Sequence, residues 1–375
     1  MTESLRTAEN ETAVLSWGAG RTGQLGNGTT VDSLVPAQVT GTARGDVVRL
    51  SAGGTNSSDS FALALSGGTV QAWGHSSSGQ LGNGGNTNQT VPTTLPRLSS
   101  IKDIAAGGQH ALALDTSGQV YSWGDNAYGQ LGNNRTGDSR TVPDRVQGMP
   151  KVKQIAAGVD FSLALLENGK VYAWGRGVHG QLGNGSRATS SVPRQVLGLQ
   201  DIAAIAAGGH HGLALTADGT VKSWGYNLYG QLGNSTTKSA TVPVDVDWIE
   251  GITTLAAGAH HNYVITSDSK IWGWGNNQYG QLLESDETFD NNISRTNRTA
   301  PVEIPRLEGV QHIAAGARHG VAVTADGIYT WGHNGEGQLG NGTTVARYET
   351  VKDLDQGSAI KSVTASLGGN TTYAY

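Results

Sequence analysis

The sequence contains no cysteine and few charged side chains, and each shortage excludes a kind of site. Without cysteine, the chain of 375 residues can form no disulfide, thiolate metal site or cysteine nucleophile. Charged residues make up 15% and the net charge is −5, with no basic stripe, so we expect no nucleic-acid partner. No run of about 18 apolar residues is present, which predicts no membrane partner.

The first twelve residues lack the apolar segment that a secretory leader needs. They hold three Glu and one Arg, so residues 1–12 are predicted to be a short acidic arm. We therefore expect a cytoplasmic protein, and we expect residues 13–375 to form a single domain.

In place of these features, the chain repeats one unit seven times. Each copy carries a Trp-Gly pair at nearly even spacing, at Trp17, Trp73, Trp123, Trp174, Trp224, Trp274 and Trp331. An Ala-Ala-Gly block precedes the pair in five copies, and Gly-Gln-Leu-Gly-Asn follows it in six, whereas one copy has Gly280-Gln281-Leu282-Leu283-Glu284. Units of this length cannot bury their own apolar face, so neighbouring copies must stack.

The third copy shows which strands the unit contains. Residues 152–157 are apolar, residues 161–165 and 171–174 alternate around a hairpin turn at 167–169, and residues 191–196 form an edge strand that tolerates Pro193. Four antiparallel strands per copy predict a propeller blade, and Gly is abundant at 56 residues, as short strands with tight turns require.

The two ends of the chain predict that the ring closes. Residues 13–17 read as a strand without partners, and residues 363–375 supply strands that lack this piece. The predicted fold is therefore an all-β, closed seven-bladed propeller whose last blade is completed by the N-terminal strand. The seven Trp are interpreted as packing anchors, and the Gly-Gln-Leu-Gly-Asn loops as hydrogen-bonded spacers between blades.

The combination of Ala-Ala-Gly-x-x-His, a hairpin, Trp-Gly and Gly-Gln-Leu-Gly-Asn-Gly resembles the regulator of chromosome condensation repeat family over practically the whole chain. That family includes a guanine nucleotide exchange factor for the Ran GTPase, plant ultraviolet-B photoreceptors, ubiquitin-ligase modules and a bacterial β-lactamase inhibitor. The regular repeats, rich in Gly, Ala and Thr, indicate a bacterial member. A shared fold does not choose between these functions.

One position per copy varies while the rest of the repeat stays constant. It directly precedes the second strand and holds Gln109, Asp160, His210, His260, Arg318 and Asn370. Because strand directions alternate, this loop and the Gly-Gln-Leu-Gly-Asn loop emerge on one face of the disc, and the hairpin turns emerge on the other. Loops on a rigid scaffold carry function, so we predict an exposed binding face here, as the resemblance also implies.

Aromatic side chains precede the Gly-Gln-Leu-Gly-Asn loop in four copies and form the predicted rim of this face. They are Tyr128, His179, Tyr229 and Tyr279. Rings with a polar tip suit interfaces. The long loop at 282–299 belongs to the same face, either as a solvated insertion or as a finger that contacts a partner.

Histidine follows the variable position in most copies, and we expect it to be a strand-end residue that holds a backbone carbonyl. The pairs at 210–211 and 260–261 suggest a metal site, but adjacent strand residues point to opposite faces, so each pair lends one ligand. A site would need His210, His260 and a carboxylate such as Asp160 to converge from three blades. We therefore expect no metal and no cofactor.

Several functions fit these residues. The first is a monomeric protein-interaction propeller, in a narrower form an exchange-factor-like regulator of a small GTPase, with Asp160, His210 and His260 at the positions that the resemblance implies. The alternative is a bacterial biosynthetic enzyme, for example a cyclase, that binds a small-molecule substrate and uses the same three residues as candidate catalytic groups. A secreted inhibitor or a photoreceptor is disfavoured, because the turn where both use aromatics has only Gly, Ala or Val here.

Overall fold

A computed structural model describes residues 14–42, 47–283, 296–305, 307–354 and 360–375. The predicted acidic arm at 1–12 and residues 284–295 of the predicted loop lie outside these ranges. The last two residues of that predicted loop already belong to a strand that starts at Arg298. Among the described residues, no helix is long and apolar enough to cross a membrane.

The described residues form 28 strands, which group into seven four-stranded sheets. The first two strands are β1 (Leu15–Gly18) and β2 (Ser33–Gln38). Blade 1 contains β3 (Val47–Gly53), β4 (Phe61–Ser66), β5 (Thr69–Gly74) and β6 (Gln89–Thr94). Blade 2 contains β7 (Ile101–Ala106), β8 (His110–Asp115), β9 (Val120–Gly124) and β10 (Arg140–Arg145). Blade 3 contains β11 (Val152–Ala157), β12 (Phe161–Leu166), β13 (Val171–Gly175) and β14 (Ser190–Gln195).

The remaining strands follow the same order. Blade 4 contains β15 (Ile202–Ala207), β16 (His211–Thr216), β17 (Val221–Gly225) and β18 (Ala240–Asp245). Blade 5 contains β19 (Ile252–Ala257), β20 (His261–Thr266), β21 (Ile271–Gly275) and β22 (Arg298–Ile304). Blade 6 contains β23 (His312–Ala315), β24 (His319–Thr324), β25 (Gly327–Gly332) and β26 (Arg347–Leu354). The last strands are β27 (Val363–Ala365) and β28 (Thr371–Ala374).

Each blade is antiparallel, and neighbouring strands of a blade are consecutive in sequence except in the last one. The innermost strands surround a central channel of about 460 Å³. In the second and third strands nearly every side chain is buried, because one face of each blade packs on the preceding blade and the other on the next blade. The seven-bladed propeller predicted from the repeats is confirmed.

The seventh blade joins the two ends of the chain, in the order β2-β1-β28-β27. Leu15 pairs with Ala374 and Trp17 with Thr372 in an antiparallel register. The predicted closure is therefore confirmed, and the N-terminal part supplies both outer strands of this blade, β1 and β2. Residue 13, the first of the predicted strand, lies outside the described residues.

The Trp of each Trp-Gly pair joins two blades. All seven indoles are fully buried. All seven indole N–H groups donate to the backbone carbonyl of the Gln in the preceding blade's Gly-Gln-Leu loop, at 2.8–2.9 Å. The anchor role predicted for Trp is thus accounted for by burial and by one hydrogen bond between blades.

The Gly after Gln-Leu in this loop has a positive φ and lies close to the indole of the next blade. Gly183 has φ +60°, and a Cβ there would lie 2.9 Å from Cδ1 of Trp224. Leu283 stands at this position in blade 5, with φ 46°, in the copy whose motif departs from the others. The Gly-Gln-Leu-Gly sequence therefore recurs in the copies because the next blade approaches this loop closely.

In three copies, at His110, His211 and His319, the consensus His bonds a side chain of the next blade, and that side chain donates to a backbone carbonyl. His110 Nε2 donates to Ser162 Oγ at 2.9 Å, and this hydroxyl donates to Gln130 O at 2.9 Å. His211 uses the Asn262 amide in the same way, at 2.6 Å. Where the next blade offers only Gly212, the third copy has Phe161 in place of His. His261 in blade 5 likewise faces a glycine, Gly320, and no side chain among the described residues bonds its ring nitrogens, so a polar side chain in the following blade accompanies the His in three copies but is not required by it.

Candidate partner-binding face

Three positions in each blade bring side chains to the predicted binding face. Two were predicted: the residue before the second strand, and the residue before Gly-Gln-Leu. The third directly follows Trp-Gly and holds Ala19, His75, Asp125, Arg176, Tyr226, Asn276 and His333. It was missed because the sequence argument considered only the loop ends, although its variation from copy to copy is a usable signal.

Contacts among these positions form a set that extends over blades 2 to 6, with a central cluster of rings and a stacked Arg–Tyr pair on each side of it. We call it the His/Tyr arc, which consists of Tyr128, Arg176, His179, His210, Tyr226, Tyr229, His260, Tyr279, Arg318 and His333. Seven of its ten members were predicted for the face from sequence. Their role in binding stays a prediction.

Tyr226 lies at the centre of the arc. Its ring centroid is 4.8 Å from that of His179, 6.4 Å from His210, 6.3 Å from Tyr229 and 6.0 Å from His260. The two variable-position histidines also contact each other, with centroids 6.5 Å apart. Side chains from three blades thus meet around a ring that sequence reasoning did not single out.

Cations stack on tyrosine at both ends of the arc. The Arg176 guanidinium lies 4.8 Å from the Tyr128 ring centre, and Arg318 lies 5.0 Å from that of Tyr279. The Tyr279 ring also packs edge-on against His333, at 4.8 Å. Such contacts hold the long Arg side chains in place over flat rings.

Asp160 pairs with Arg176, and its carboxylate accepts from the guanidinium at 3.1 Å. Burial raises the pKa of Asp160, while Arg176 lowers it. Within the described residues Asp160 makes no hydrogen bond to His210 or His260, and no group of three His, Asp or Glu side chains is arranged to hold a metal ion. In this geometry the carboxylate of Asp160 is therefore paired with a guanidinium and not with an imidazole.

The two variable-position histidines are neutral at physiological pH. Burial, with smaller contributions from the nearby His179 and Arg176, lowers the pKa of His210 to about 4. Burial also lowers the pKa of His260 to about 4, with a contribution from His210 and Arg318. Because neutral imidazoles repel neither each other nor the nearby guanidinium groups, the rings of the His/Tyr arc can pack closely together.

The other two predicted positions lie in polar pairs outside the arc. Gln109 donates to Asp59 at 3.1 Å and accepts from Ser78 at 2.9 Å. Asn370 donates to Glu336 at 2.7 Å. These contacts occupy blades 7, 1 and 2, with Glu336 added from blade 6, so the face has an aromatic sector and a polar sector.

The six variable residues that directly precede the second strand are less exposed than expected. Of these six residues only Arg318 is exposed; Gln109, Asp160, His210 and His260 are half-buried, and Asn370 is buried. The reason is that side chains of the position after Trp-Gly lie against them: Arg176 pairs with Asp160 of its own blade, and Tyr226 contacts His210 of its own blade and His260 of the next. The position after Trp-Gly therefore contributes to the outer surface of the face, together with the position before the second strand.

Comparison with known proteins identifies the family. A family model described as the RCC1-like domain matches residues 13–374. Over 178 residues, which are 46% of this chain, the sequence is 34% identical to the Ultraviolet-B receptor UVR8 of Arabidopsis thaliana. Over 183 residues it is 32% identical to the human E3 ubiquitin-protein ligase HERC2. The matched segments span 40% and 4% of these relatives.

Two solved structures share the fold along nearly the whole chain. Prp20p from Saccharomyces cerevisiae has a TM-score of 0.83 at 24% identity, with 98% of this chain and 92% of that chain covered. Human WBSCR16 has a TM-score of 0.84 at 22% identity, with 97% and 98% covered. At these identities the likeness is one of fold, and together with the matching family model it shows that the chain belongs to the RCC1-like domain family.

Proposed function

We propose that this propeller binds another protein through the face that carries the His/Tyr arc. The observation that carries the proposal is a contrast within the repeat. The same Trp and Gln contacts join every pair of blades, while three positions on this face differ from copy to copy and contact one another. Blade packing does not require this variation, so an external partner is its best explanation.

The chemistry of the arc favours a protein as the partner. Tyr and Arg are enriched at protein interfaces and at their energetic centres. The arc extends over five blades, from Tyr128 to His333, which suits a broad contact better than a small molecule. At its two ends Tyr128 is 36% exposed and Arg318 is also exposed.

Regulation of a small GTPase is the narrower form of the proposal. The structural relative Prp20p is described by its binding properties to Gsp1p and histones, and a further structure shows Kap60 bound to it. An exchange-type mechanism would need the face to press on the nucleotide site of the GTPase and stabilise its empty state. The assay is release of a fluorescent GDP analogue from a Ran-type GTPase, with and without this protein.

Photo-crosslinking tests the location of the face. A photoreactive amino acid placed at Tyr229, in the arc, should capture the partner in cells. The same amino acid at Asp218, in an exposed hairpin turn on the opposite face, serves as the matched control. Capture from Asp218 and not from Tyr229 would contradict the proposal.

A further inference from the structure

The Gln of the Gly-Gln-Leu loop has its side-chain amide fixed in the same orientation in all seven blades. In each copy its Oε1 accepts from the backbone N–H two residues earlier, at 2.8–3.0 Å. This bond identifies which end of the amide is oxygen. The Nε2 group therefore faces the corresponding place in every copy.

In four blades Nε2 donates to the residue that follows Trp-Gly. Gln80 bonds to His75 at 3.0 Å, Gln130 to Asp125 at 2.7 Å, Gln281 to Asn276 at 2.8 Å and Gln338 to His333 at 2.7 Å. In blade 7, where that residue is Ala19, Gln24 donates to Ser57 O at 2.8 Å. Five copies thus satisfy this buried donor internally.

In two adjacent blades the Nε2 group of this Gln has no internal acceptor. Gln181 in blade 3 and Gln231 in blade 4 are fully buried, and within the described residues their Nε2 atoms have no hydrogen-bond partner. The residues after Trp-Gly are Arg176 and Tyr226 in these copies. Arg cannot accept a hydrogen bond. A buried donor without an acceptor costs stability, so two such donors side by side call for a reason.

Both donors lie beneath the centre of the His/Tyr arc. The backbone N–H groups of His179 and Tyr229 are the donors that hold their Oε1 atoms. The Nε group of Arg176 is buried without a partner as well, because its ion pair with Asp160 uses the Nη1 end. Three unmatched donors therefore belong to the same sector of the face.

We infer that this sector takes up an acidic segment of the partner, whose carboxylates accept hydrogen bonds from the side-chain amides of Gln181 and Gln231. The inference rests on the proposed binding face. A carboxylate is acceptor-only and binds most strongly where donors carry charge, which Arg176 and the exposed Arg318 supply. Arg176 and Tyr226 occupy the place of the internal acceptor, so both side chains move aside when the segment binds.

Side-chain amide NMR of the 375-residue chain, labelled with ¹⁵N-Gln, tests this directly. The probes are the capped peptide acetyl-Glu-Asp-Glu-amide, the uncharged acetyl-Gln-Asn-Gln-amide and sodium acetate. We expect saturable shifts of the Gln181 and Gln231 signals with the acidic peptide. Gln130, whose amide is already bound to Asp125, is the internal control and should not respond.

Two substitutions of Tyr226 distinguish an effect of the unpaired Gln231 amide from an effect of the tyrosine ring. Tyr226→Asn copies the residue of blade 5 and gives Gln231 an internal acceptor, so the Gln231 response should fall at least tenfold while that of Gln181 remains. Tyr226→Phe supplies no acceptor and should keep both responses. Neither substitution changes the charge of the face.

The inference is overturned if neither signal responds, if the uncharged peptide acts equally, or if Gln231 still responds after Tyr226→Asn. Saturation by acetate at the same concentration as the peptide would identify a free small carboxylate and reject the acidic segment. If the Gln181 and Gln231 signals do not respond but a partner is captured at Tyr229, the inference is rejected and the proposed function is retained. Responsive amides with capture at Asp218 alone would instead reject the proposed face.

Discussion

Replacing one indole by phenylalanine measures the hydrogen bond that joins two blades. Trp224 is fully buried, and its Nε1 donates to Gln181 O at 2.9 Å. That carbonyl has no second donor among the described residues, because blade 4 has Gly212 beside it. In the preceding pair of blades, Gln130 O accepts from both Trp174 Nε1 at 2.8 Å and Ser162 Oγ at 2.9 Å.

The two sites therefore differ in what a Trp→Phe substitution leaves behind. Both variants lose the same volume, a fraction of the roughly 3 to 5 kcal/mol that full truncation to Ala costs. Trp224→Phe also strips the Gln181 carbonyl of its last donor, which costs about 1 to 3 kcal/mol more. Trp174→Phe leaves the Ser162 donor in place and is the matched control.

Urea unfolding of the two variants gives the comparison. We expect Trp224→Phe to reduce the free energy of unfolding by roughly 1 to 3 kcal/mol more than Trp174→Phe. Equal losses with the same dependence on urea would refute the reasoning. They would mean that burial of the ring, and not its hydrogen bond, determines how the blades adhere.

Three further changes have expected outcomes. Trp248 is 84% exposed at φ 62°, where the preceding blade has Gly198 at φ 68°, so Trp248→Gly should raise the free energy of unfolding by about 0.5 kcal/mol; a lower melting temperature would contradict this. Burial lowers the pKa of His210 and His260 to about 4, so the unfolded chain takes up protons first as the pH falls below 6.5. Stability should be complete above pH 6.5 and fall towards pH 4 by up to about 1.4 kcal/mol per pH unit for each His; a double His→Asn variant with an unchanged pH slope would argue against it. Deletion of residues 1–18 removes β1 and should abolish cooperative unfolding, whereas an unaltered melt would refute closure by the N-terminal strands.

The fold could be predicted from sequence because every copy repeats the same physical requirements. In blade 3 the predicted strands at 152–157, 161–165 and 171–174 match β11, β12 and β13 to within one residue at their ends. The Trp anchors and the closure of the ring followed from the same repetition. What the repeat could not show was the partner of the consensus His, since it belongs to the next blade.

The binding face could be predicted only in part. Seven members of the His/Tyr arc came from positions that vary at loop ends, but Arg176, Tyr226 and His333 did not. Their importance depends on which rings meet between blades, and spacing along the chain does not encode this. The buried state of Asn370 was missed for the same reason, because Glu336 reaches it from the preceding blade. Bacterial origin, cytoplasmic location and a monomeric state stay predictions.

A control for the opposite face must leave the turns intact. Asp115 is buried and accepts from the backbone N–H groups of Ser117 and Gln119, so replacing it would damage the hairpin. Asp218, Asp268 and Asp326 are exposed on that face. Asp218 accepts from Thr216 and Thr220, and Asp268 accepts from Thr266, so their replacement costs some stability, which the melting curve of the variant measures.

Affinity for the captured partner tests the central claim most directly. The variant with Asp160→Ala, His210→Ala and His260→Ala is compared with the variant that replaces Asp218, Asp268 and Asp326 by Ala, with melting curves recorded for both. The account predicts that the first variant stays folded and loses at least tenfold in affinity, about 1.4 kcal/mol, while the second binds like the unmodified protein. Undiminished binding by the first variant, with a loss in the second, would contradict it.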